Sequence, residues 1–457
     1  MPGGETLRAT FTGPRIFGRL KQLSLRDTNI VVVSVILNNL LRAVNSMILT
    51  RLLVPEVFGI AGVIASVQFT VVLATDLGFP LFVVRHEDGD SRLFRDTIWT
   101  ASAIRSLVLA AAFLLLARPL GSIFGKPELA PLIAASSLTF VIDATTSLSL
   151  LTALREKLIL KLSTLEIIVQ IMQMIASAVL AYLWPSYWAI LGGVIFSGLV
   201  KSVLSYTMFK NSVCRFRLDP KTIRELWSFA RYITGSSIIF LLVSQCDKLV
   251  LVKMMPLDHF GFYVLAGNLA SAPVGFATSY ANRVLYPTYA RLWREGADRL
   301  GALYYEQRRL PSLFYAVATG AIVGGAPLIV GILYDHRYAA AAIYLRLLGI
   351  SSMLALPSNA ANETLTATGH VSATFQASVI KLVWLAIAGT AGFFFYGALG
   401  LVTAVGLMEA PALGLKWIRM RFIGLLDMRQ ELMFLTAGLA GVTAGFCATE
   451  LGHLLLR

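Results

Sequence analysis

The sequence carries little charge. Charged residues make up 14% of its 457 residues and hydrophobic residues 57%, whereas a soluble globular chain carries about 25% charged residues. This scarcity excludes an ordinary soluble domain and indicates a protein that crosses a membrane several times. Acidic residues are fewer than basic ones: the chain has 25 Asp and Glu and 39 Lys and Arg, which gives a net charge of +14. Because basic residues collect in the cytoplasmic connections of membrane proteins, we expect no nucleic-acid partner.

Cysteine is also scarce, and the common catalytic motifs are missing. The three cysteines, Cys214, Cys246 and Cys447, form no CxxC pair or His/Cys cluster, so we expect neither a disulfide framework nor a metal site. There is no Gly-x-x-x-x-Gly-Lys-Ser/Thr loop, no His-Glu-x-x-His motif and no Gly-x-Ser-x-Gly turn. These absences exclude a built-in ATPase, a zinc hydrolase of that type and a hydrolase nucleophile elbow. The sequence predicts a protein without cofactors that is not an enzyme.

Long apolar segments fill most of the chain. A membrane-spanning helix needs about 20 mostly apolar residues, and thirteen segments meet this requirement. They are 29–53, 57–84, 97–117, 129–153, 160–184, 187–209, 226–252, 259–287, 311–333, 340–367, 372–395, 398–417 and 431–452. All connections between them are short, so the activity must lie within the membrane.

Lys and Arg in the connections predict the orientation. Most of them fall in the N-terminal tail and in every second connection, and few fall in the alternate ones, such as Arg51, Lys126, Lys253 and Arg337. The positive-inside rule therefore predicts a cytoplasmic N-terminus. Whether segment 431–452 spans, and hence the side of the C-terminus, stays open at this point.

Two weak internal echoes suggest a repeat. RLLVPEVFG from Arg51 matches KMMPLDHFG from Lys253, and LTALREK from Leu151 matches LTATGHV from Leu365. The matched positions are six helices apart, so the two halves insert in the same direction. The sequence thus predicts an all-α polytopic protein with two parallel six-helix lobes around a central cavity, plus one extra C-terminal helix. The predicted divisions are a basic cytoplasmic tail (1–28), the N-lobe (29–210), a linker (211–224), the C-lobe (225–420) and the extra helix (421–457).

Polar side chains inside these helices predict a substrate cavity. Arginine in the bilayer centre costs at least about 2.5–3.5 kcal/mol, so such residues face water or protein. The first segment carries a polar stripe spaced for one helical face, and the eighth carries another, followed by a basic residue. The predicted binding residues for phosphate or sugar are Asn38, Arg42, Asn45, Arg231, Asn268, Asn282 and Arg283. Asp76 and Asp247 are candidates for proton or Na⁺ coupling, or for partners of these arginines.

Three stretches carry a resemblance to a known family. They are TRLLVPEVFGIAGVIASV followed by TDLGFP, TALREKLILKLSTLEIIV, and DHFGFYVLAGNLASAPVGFATSYANRVLYPTYARL. The chain resembles Wzx-type polysaccharide flippases of the multidrug/oligosaccharidyl-lipid/polysaccharide (MOP) exporter superfamily from about residue 30 to residue 425. The resemblance implies a cationic cavity and transport of undecaprenyl-diphosphate-linked oligosaccharides from the inner to the outer leaflet by alternating access. It also implies contact with membrane lipid and, among proteins, with polysaccharide polymerase or export machinery.

Rival functions stay open. A cation-coupled multidrug exporter of the same superfamily would need acidic residues for cationic drugs, and the membrane interior here is basic. A membrane polysaccharide polymerase or ligase would need a large outer loop with catalytic residues, and the outer connections are short. A scaffold for polysaccharide assembly is a further alternative. The identity of the glycan, the driving force and the oligomeric state do not follow from the sequence.

Overall fold

The computed structural model describes residues 13–209 and 212–455, and every regular element in these ranges is helical. Part of the predicted basic tail, residues 1–12, lies outside them. Helices suit apolar segments because each backbone polar group is satisfied within the helix, where lipid offers no hydrogen bonds. The helices before residue 210 are α1 (Gly13–Leu52), α2 (Pro55–Ala74), α3 (Phe79–Arg85), α4 (Arg92–Ile123), α5 (Ala130–Ser136), α6 (Leu138–Thr145), α7 (Ser149–Arg155), α8 (Ile159–Leu183) and α9 (Tyr187–Thr207).

The second part of the chain begins with a capped helix: Asp219 accepts a hydrogen bond from the Thr222 amide at the start of α10. Its helices are α10 (Pro220–Met254), α11 (Leu257–Tyr280), α12 (Tyr286–Glu295), α13 (Ala297–Gly324), α14 (Ala326–Leu333), α15 (Ala341–Ala367), α16 (Val371–Trp384), α17 (Thr390–Leu407), α18 (Glu409–Phe422) and α19 (Met428–Leu455). We call residues 13–209 the first half and residues 212–422 the second half.

All thirteen predicted segments fall on helices, but the structure groups them differently. Among the described residues, eleven helices are long and apolar enough to span, and α13 with α14 makes a twelfth if this pair, bent by 74°, is one span. The predicted segments 372–395 and 398–417 lie in one helical run, Val371–Phe422. At about 1.5 Å per residue, that run would far exceed the roughly 30 Å hydrocarbon core if it were straight.

The run Val371–Phe422 folds back on itself at Gly397. Gly397 has φ 61° and ψ −146°, a backbone conformation that glycine adopts without the steric cost of a Cβ atom. Across the bend, the indole nitrogen of Trp384 donates a hydrogen bond to the carbonyl oxygen of Ala404 at 2.9 Å. The two arms therefore lie side by side as a hairpin, and the break that the sequence predicts between 395 and 398 is where the chain turns.

The last helix packs along α13 in the same direction. Near their starts, Arg308 pairs with Glu431. Further on, a methyl group at Gly324 would collide with the carbonyl oxygen of Val442. The contacts move toward the C-terminal end of both helices in the same order, so α19 runs parallel to α13. The predicted C-terminal helix is thus attached closely to the second half, and it ends toward the same face as α13.

Candidate substrate cavity

One face of α11 is polar and exposed in the middle of the span Leu257–Glu295. The exposed polar residues on it are Asn268, Ser271, Thr278 and Asn282. They lie three, seven and four residues apart, which places them on one side of a helix. Because polar groups facing lipid are costly, we expect this face to border water rather than lipid. Of the predicted binding residues, Asn268 and Asn282 lie on it.

The end of this polar face is a π-helical turn. Residues Ala281–Leu285 form the turn between α11 and α12, and it holds both Asn282 and the exposed Arg283. Such one-turn π segments interrupt the regular i to i−4 hydrogen bonding and are frequent at functional sites. The sequence predicts the two residues as part of the cavity but gives no signal for the π turn that holds them.

Arg42 stands exposed in α1. No hydrogen bond or ion pair engages its guanidinium among the described residues, although its charge acts on Glu166 of α8. Asn38, one turn earlier, is half-buried. A guanidinium has five donors and stays charged at any relevant pH, so Arg42 offers an unoccupied anion-binding group within a membrane helix.

The two ends of the polar stripe on α1 contact α8. Ser163 donates to the hydroxyl of Ser34 at 3.1 Å, and Ser177 donates to the side-chain oxygen of Asn45 at 3.2 Å. Asn45 therefore joins two helices of the first half. Sequence reasoning missed the matching stripe on α8, although its spacing of three and four residues is visible in the sequence. The residues of this stripe are Ser163, Glu166, Gln170, Gln173 and Ser177.

The helices that carry the predicted binding residues are neighbours. Both α1 and α10 contact α11. Arg231 lies exposed on α10, so all three helices contribute polar exposed residues. The structure thus brings the predicted helices together, while it turns Asn45 toward α8 and into a helix–helix contact.

Asp76 links the two halves rather than standing free. Its carboxylate accepts hydrogen bonds from the Gly78 amide at 2.9 Å and the Ser237 hydroxyl of α10 at 3.0 Å, and its carbonyl accepts one from Thr234 at 2.6 Å. Nearby on the same face, His86 Nε2 lies 2.8 Å from a carboxylate oxygen of Glu225. The first half therefore contacts the start of α10 through polar groups.

Asp247 is buried at 7% exposure and accepts a hydrogen bond from the Tyr263 hydroxyl of α11. Its other carboxylate oxygen has no partner among the described residues. A buried carboxylate with an unsatisfied oxygen is costly unless it binds a proton or a cation. The assignment of Asp247 to coupling stays a prediction.

A second buried charge cluster lies within the second half. Lys381 pairs with Glu409, and Ser358 donates to the other Glu409 oxygen at 2.9 Å while it accepts from Lys416 at 2.9 Å. None of these four residues is among the predicted binding or coupling residues. The cluster joins α15, α16 and α18, and such buried networks require full pairing of their members.

The two Phe-Gly strings from which the repeat is predicted contact each other where the two halves meet. A methyl group at Gly59 would collide with the carbonyl oxygen of Leu257, and one at Gly261 would collide with that of Pro55. Gly261 and Leu257 are the repeat equivalents of Gly59 and Pro55, each 202 residues later in the chain. Such reciprocal contacts are the mark of a two-fold relation. The grouping of the remaining helices into two six-helix lobes stays a prediction.

Comparison with known proteins decides the family. Residues 48–343 match the family described as polysaccharide biosynthesis protein. The chain belongs to the polysaccharide biosynthesis protein family. Its relatives in this family include the succinoglycan biosynthesis transport protein ExoT of Rhizobium meliloti (strain 1021), 25% identical over 361 residues that cover 79% of this chain and 71% of ExoT. The lipopolysaccharide biosynthesis protein WzxC of Escherichia coli (strain K12) is 22% identical over 80% of this chain and 74% of WzxC.

Solved structures show the fold of this family member. The lipid II flippase MurJ in an inward closed conformation has a TM-score of 0.70 at 12% identity, over 93% of this chain and 92% of MurJ. An inward-facing multidrug resistance MATE family transporter of the MOP superfamily has a TM-score of 0.64 at 14% identity, over 85% of this chain and 95% of that transporter. The predicted polysaccharide family is confirmed by the family match, the likeness to these structures shows the fold, and the protein is a multi-pass membrane protein.

Proposed function

We propose that the protein is a flippase that moves oligosaccharides linked to undecaprenyl diphosphate from the inner to the outer leaflet. It supplies exopolysaccharide, capsule or O-antigen assembly by alternating access, in the bacterial inner membrane with a cytoplasmic N-terminus. It performs no covalent chemistry. Its partners are the lipid-linked oligosaccharide, the surrounding lipid and the polymerase or export machinery that uses the product.

The exposed, unpaired guanidinium of Arg42 is the observation that carries this proposal. A diphosphate bears negative charge on oxygens that a guanidinium can bind with two parallel hydrogen bonds. The exposed amides of Asn268 and Asn282 supply donors and acceptors suited to sugar hydroxyls, and Arg283 and Arg231 are further exposed basic residues on the second half. A water-filled space bordered by such groups suits an anionic, hydroxyl-rich head group.

The names of similar proteins support the same substrate class. ExoT is a succinoglycan biosynthesis transport protein, and MurJ is a lipid II flippase. The multidrug transporters share the fold as well, but Asp76 and Asp247 are both engaged in hydrogen bonds. Asp247 is also buried, whereas Arg42, Arg231 and Arg283 are exposed, which favours an anionic over a cationic substrate.

Reconstituted protein tests the proposal. Purified wild type, Arg42→Ala and Arg42→Lys are placed in proteoliposomes at matched amounts, and flipping of an undecaprenyl-diphosphate-linked oligosaccharide is followed by its exposure to an added glycosidase. We expect Arg42→Ala to lower the flipping rate at least about tenfold, as expected for loss of a charge-assisted contact, and Arg42→Lys to restore part of it.

Arg294→Ala is the matched control, because Arg294 is exposed and bonds only the Ala290 carbonyl of its own helix. It should flip at the wild-type rate. If Arg42→Ala flips as well as this control, Arg42 does not bind substrate. If wild type flips none of several lipid-linked donors, the protein is not a flippase of this class.

A further inference from the structure

The two helices that precede the matched Phe-Gly strings end on the same side of the protein. Each leaves backbone carbonyls at its C-terminus without intrahelical hydrogen-bond partners. The two helices are α1, ending at Leu52, and α10, ending at Met254. The last four carbonyls of a helix lack intrahelical donors, and together they carry partial negative charge that attracts cations. Both ends are followed directly by the Gly59 and Gly261 contact between the halves.

The end of α10 is bound by a lysine from the first half. Lys126, in the turn after α4, donates from its ammonium to the carbonyl oxygens of Val252 and Met255, each at 3.1 Å. Partial burial of the ammonium lowers the pKa of Lys126. Reduced contact with water makes its bonds to the carbonyls stronger than they would be at an open surface.

The end of α1 is bound by an arginine from the second half. Arg337, in the turn after α14, donates to the carbonyl oxygens of Thr50 at 3.3 Å and Arg51 at 3.2 Å. Asp335 accepts from the Arg337 guanidinium at 2.9 Å, and hydrogen bonds from Arg337 lower the pKa of that carboxyl. The neighbouring Tyr338, fully buried, donates to the Leu53 carbonyl at 2.8 Å.

The two contacts are equivalent under the repeat. Val252 and Met255 lie 202 residues after Thr50 and Leu53, the same spacing that relates Gly261 to Gly59. The donors, Lys126 and Arg337, occupy corresponding turns of the opposite half. Each half therefore holds the other through a cation placed on a helix C-terminus. All these residues lie in connections that the charge distribution assigns to the outer face.

We propose that Lys126 and Arg337 are the paired gating residues of the outer barrier, and that both must release their carbonyls for the cavity to open outward. This inference rests on the proposed transport by alternating access. Tyr338 lies edge-on to Phe58 of the first half, with ring centroids 5.7 Å apart, so one aromatic contact between the halves accompanies the two polar contacts. Loss of the cations shifts the population toward the outward-open state.

Cysteine accessibility tests the gate without any substrate. Cys214, Cys246 and Cys447 are replaced by Ser, and Ser271→Cys on the exposed face of α11 reports access to the cavity. Right-side-out membrane vesicles are treated with a membrane-impermeant maleimide. We expect Lys126→Met with Arg337→Met to raise the labelling rate about fivefold or more over the parent, since labelling follows the open population. Each single substitution should give a smaller rise, and Lys126→Arg with Arg337→Lys should return the rate toward the parent.

Two controls separate gating from general loosening. Arg118→Met removes an exposed cation on the same face, near the end of α4, and Glu225→Ala breaks a cross-half contact near the opposite end of α10. Neither should raise labelling. If the double variant labels at the parental rate, or if Arg118→Met raises labelling equally, the gate proposal is wrong. If the double variant is not recovered in membranes, the single variants carry the same comparison. Raised labelling without flipping of any tested donor by wild type would retain the gate and reject the proposed substrate.

Discussion

Arg308 of α13 and Glu431 of α19 form a buried ion pair in which each side chain is 1% exposed. The Arg308 guanidinium lies over the rings of Tyr304, Tyr305 and Phe434, and the Tyr305 hydroxyl donates to the same Glu431 oxygen at 3.0 Å. The pair therefore fastens the last helix to the second half at a point that water does not reach.

Removal of one partner should destabilise the protein strongly. Glu431→Gln leaves the Arg308 guanidinium buried without its counter-charge, and breaking a buried pair in this way costs about 3–5 kcal/mol. We expect a clear drop in the thermal unfolding midpoint measured in detergent. Glu306→Gln, which changes an exposed carboxylate on the same helix, is the control. Equal midpoints for the two variants would mean that the pair contributes nothing.

The reciprocal glycine contact predicts equal sensitivity in the two repeats. Gly59→Ala and Gly261→Ala each place a methyl group against a carbonyl of the opposite half. Overpacking of this kind costs typically about 1–3 kcal/mol. Both variants should lower the unfolding midpoint, whereas Gly275→Ala should not, because a Cβ atom there meets open space. A large effect at one glycine and none at the other would argue against the two-fold relation.

We expect the contact between α1 and α8 to contribute to the stability of the protein. Ser177→Ala removes the hydrogen bond to Asn45, for which we expect a loss of about 0.5–1.5 kcal/mol in the free energy of unfolding. Thr164→Ala serves as the control, because Thr164 is exposed and bonds only within its own helix. The measurement is the unfolding midpoint in detergent. Identical midpoints for the two variants would show that the hydrogen bond between α1 and α8 does not stabilise the protein.

Substitutions of Asp247 and Tyr263 should distinguish an effect on ion coupling from an effect on stability. Asp247→Asn keeps an acceptor for the Tyr263 hydroxyl but cannot exchange charge, so we expect normal stability and a loss of about tenfold in gradient-driven flipping. Tyr263→Phe leaves the buried carboxylate without its donor and should lower stability by about 1–3 kcal/mol. Flipping is measured with and without an imposed proton or sodium gradient. An Asp247→Asn variant that responds to the gradient like wild type would give Asp247 a purely structural role.

Much of the fold follows from the sequence. The apolar segments predict the regions that span the membrane, because hydrocarbon forces the backbone to satisfy its own hydrogen bonds. They do not predict α12 or the first turns of α1 and α13, which are more polar. The breaks within segments were harder to predict. The bend between α13 and α14 falls at Gly324, Gly325 and Pro327, a local signal that the predicted segment 311–333 runs across, and the π turn at Ala281–Leu285 lies inside the predicted segment 259–287.

The candidate site divides in the same way. Polar residues at helical spacing identify Arg42, Asn268 and Asn282, since lipid penalises them wherever they stand without a role. The same reasoning selected Asn45, which the structure places against Ser177. Periodicity gives the face of a helix but not the neighbour that the face meets.

The sequence by itself determined the membrane class, the helical segments, the polar stripes and the echo between Gly59 and Gly261. These depend on transfer of side chains between water and lipid, a property of each residue and its spacing. Only the tertiary structure decided that Lys126 and Arg337 bind the helix ends of the opposite halves and that Arg308 meets Glu431. Those contacts join residues more than one hundred positions apart in the chain, and their energy depends on distance and burial, which composition and spacing do not contain.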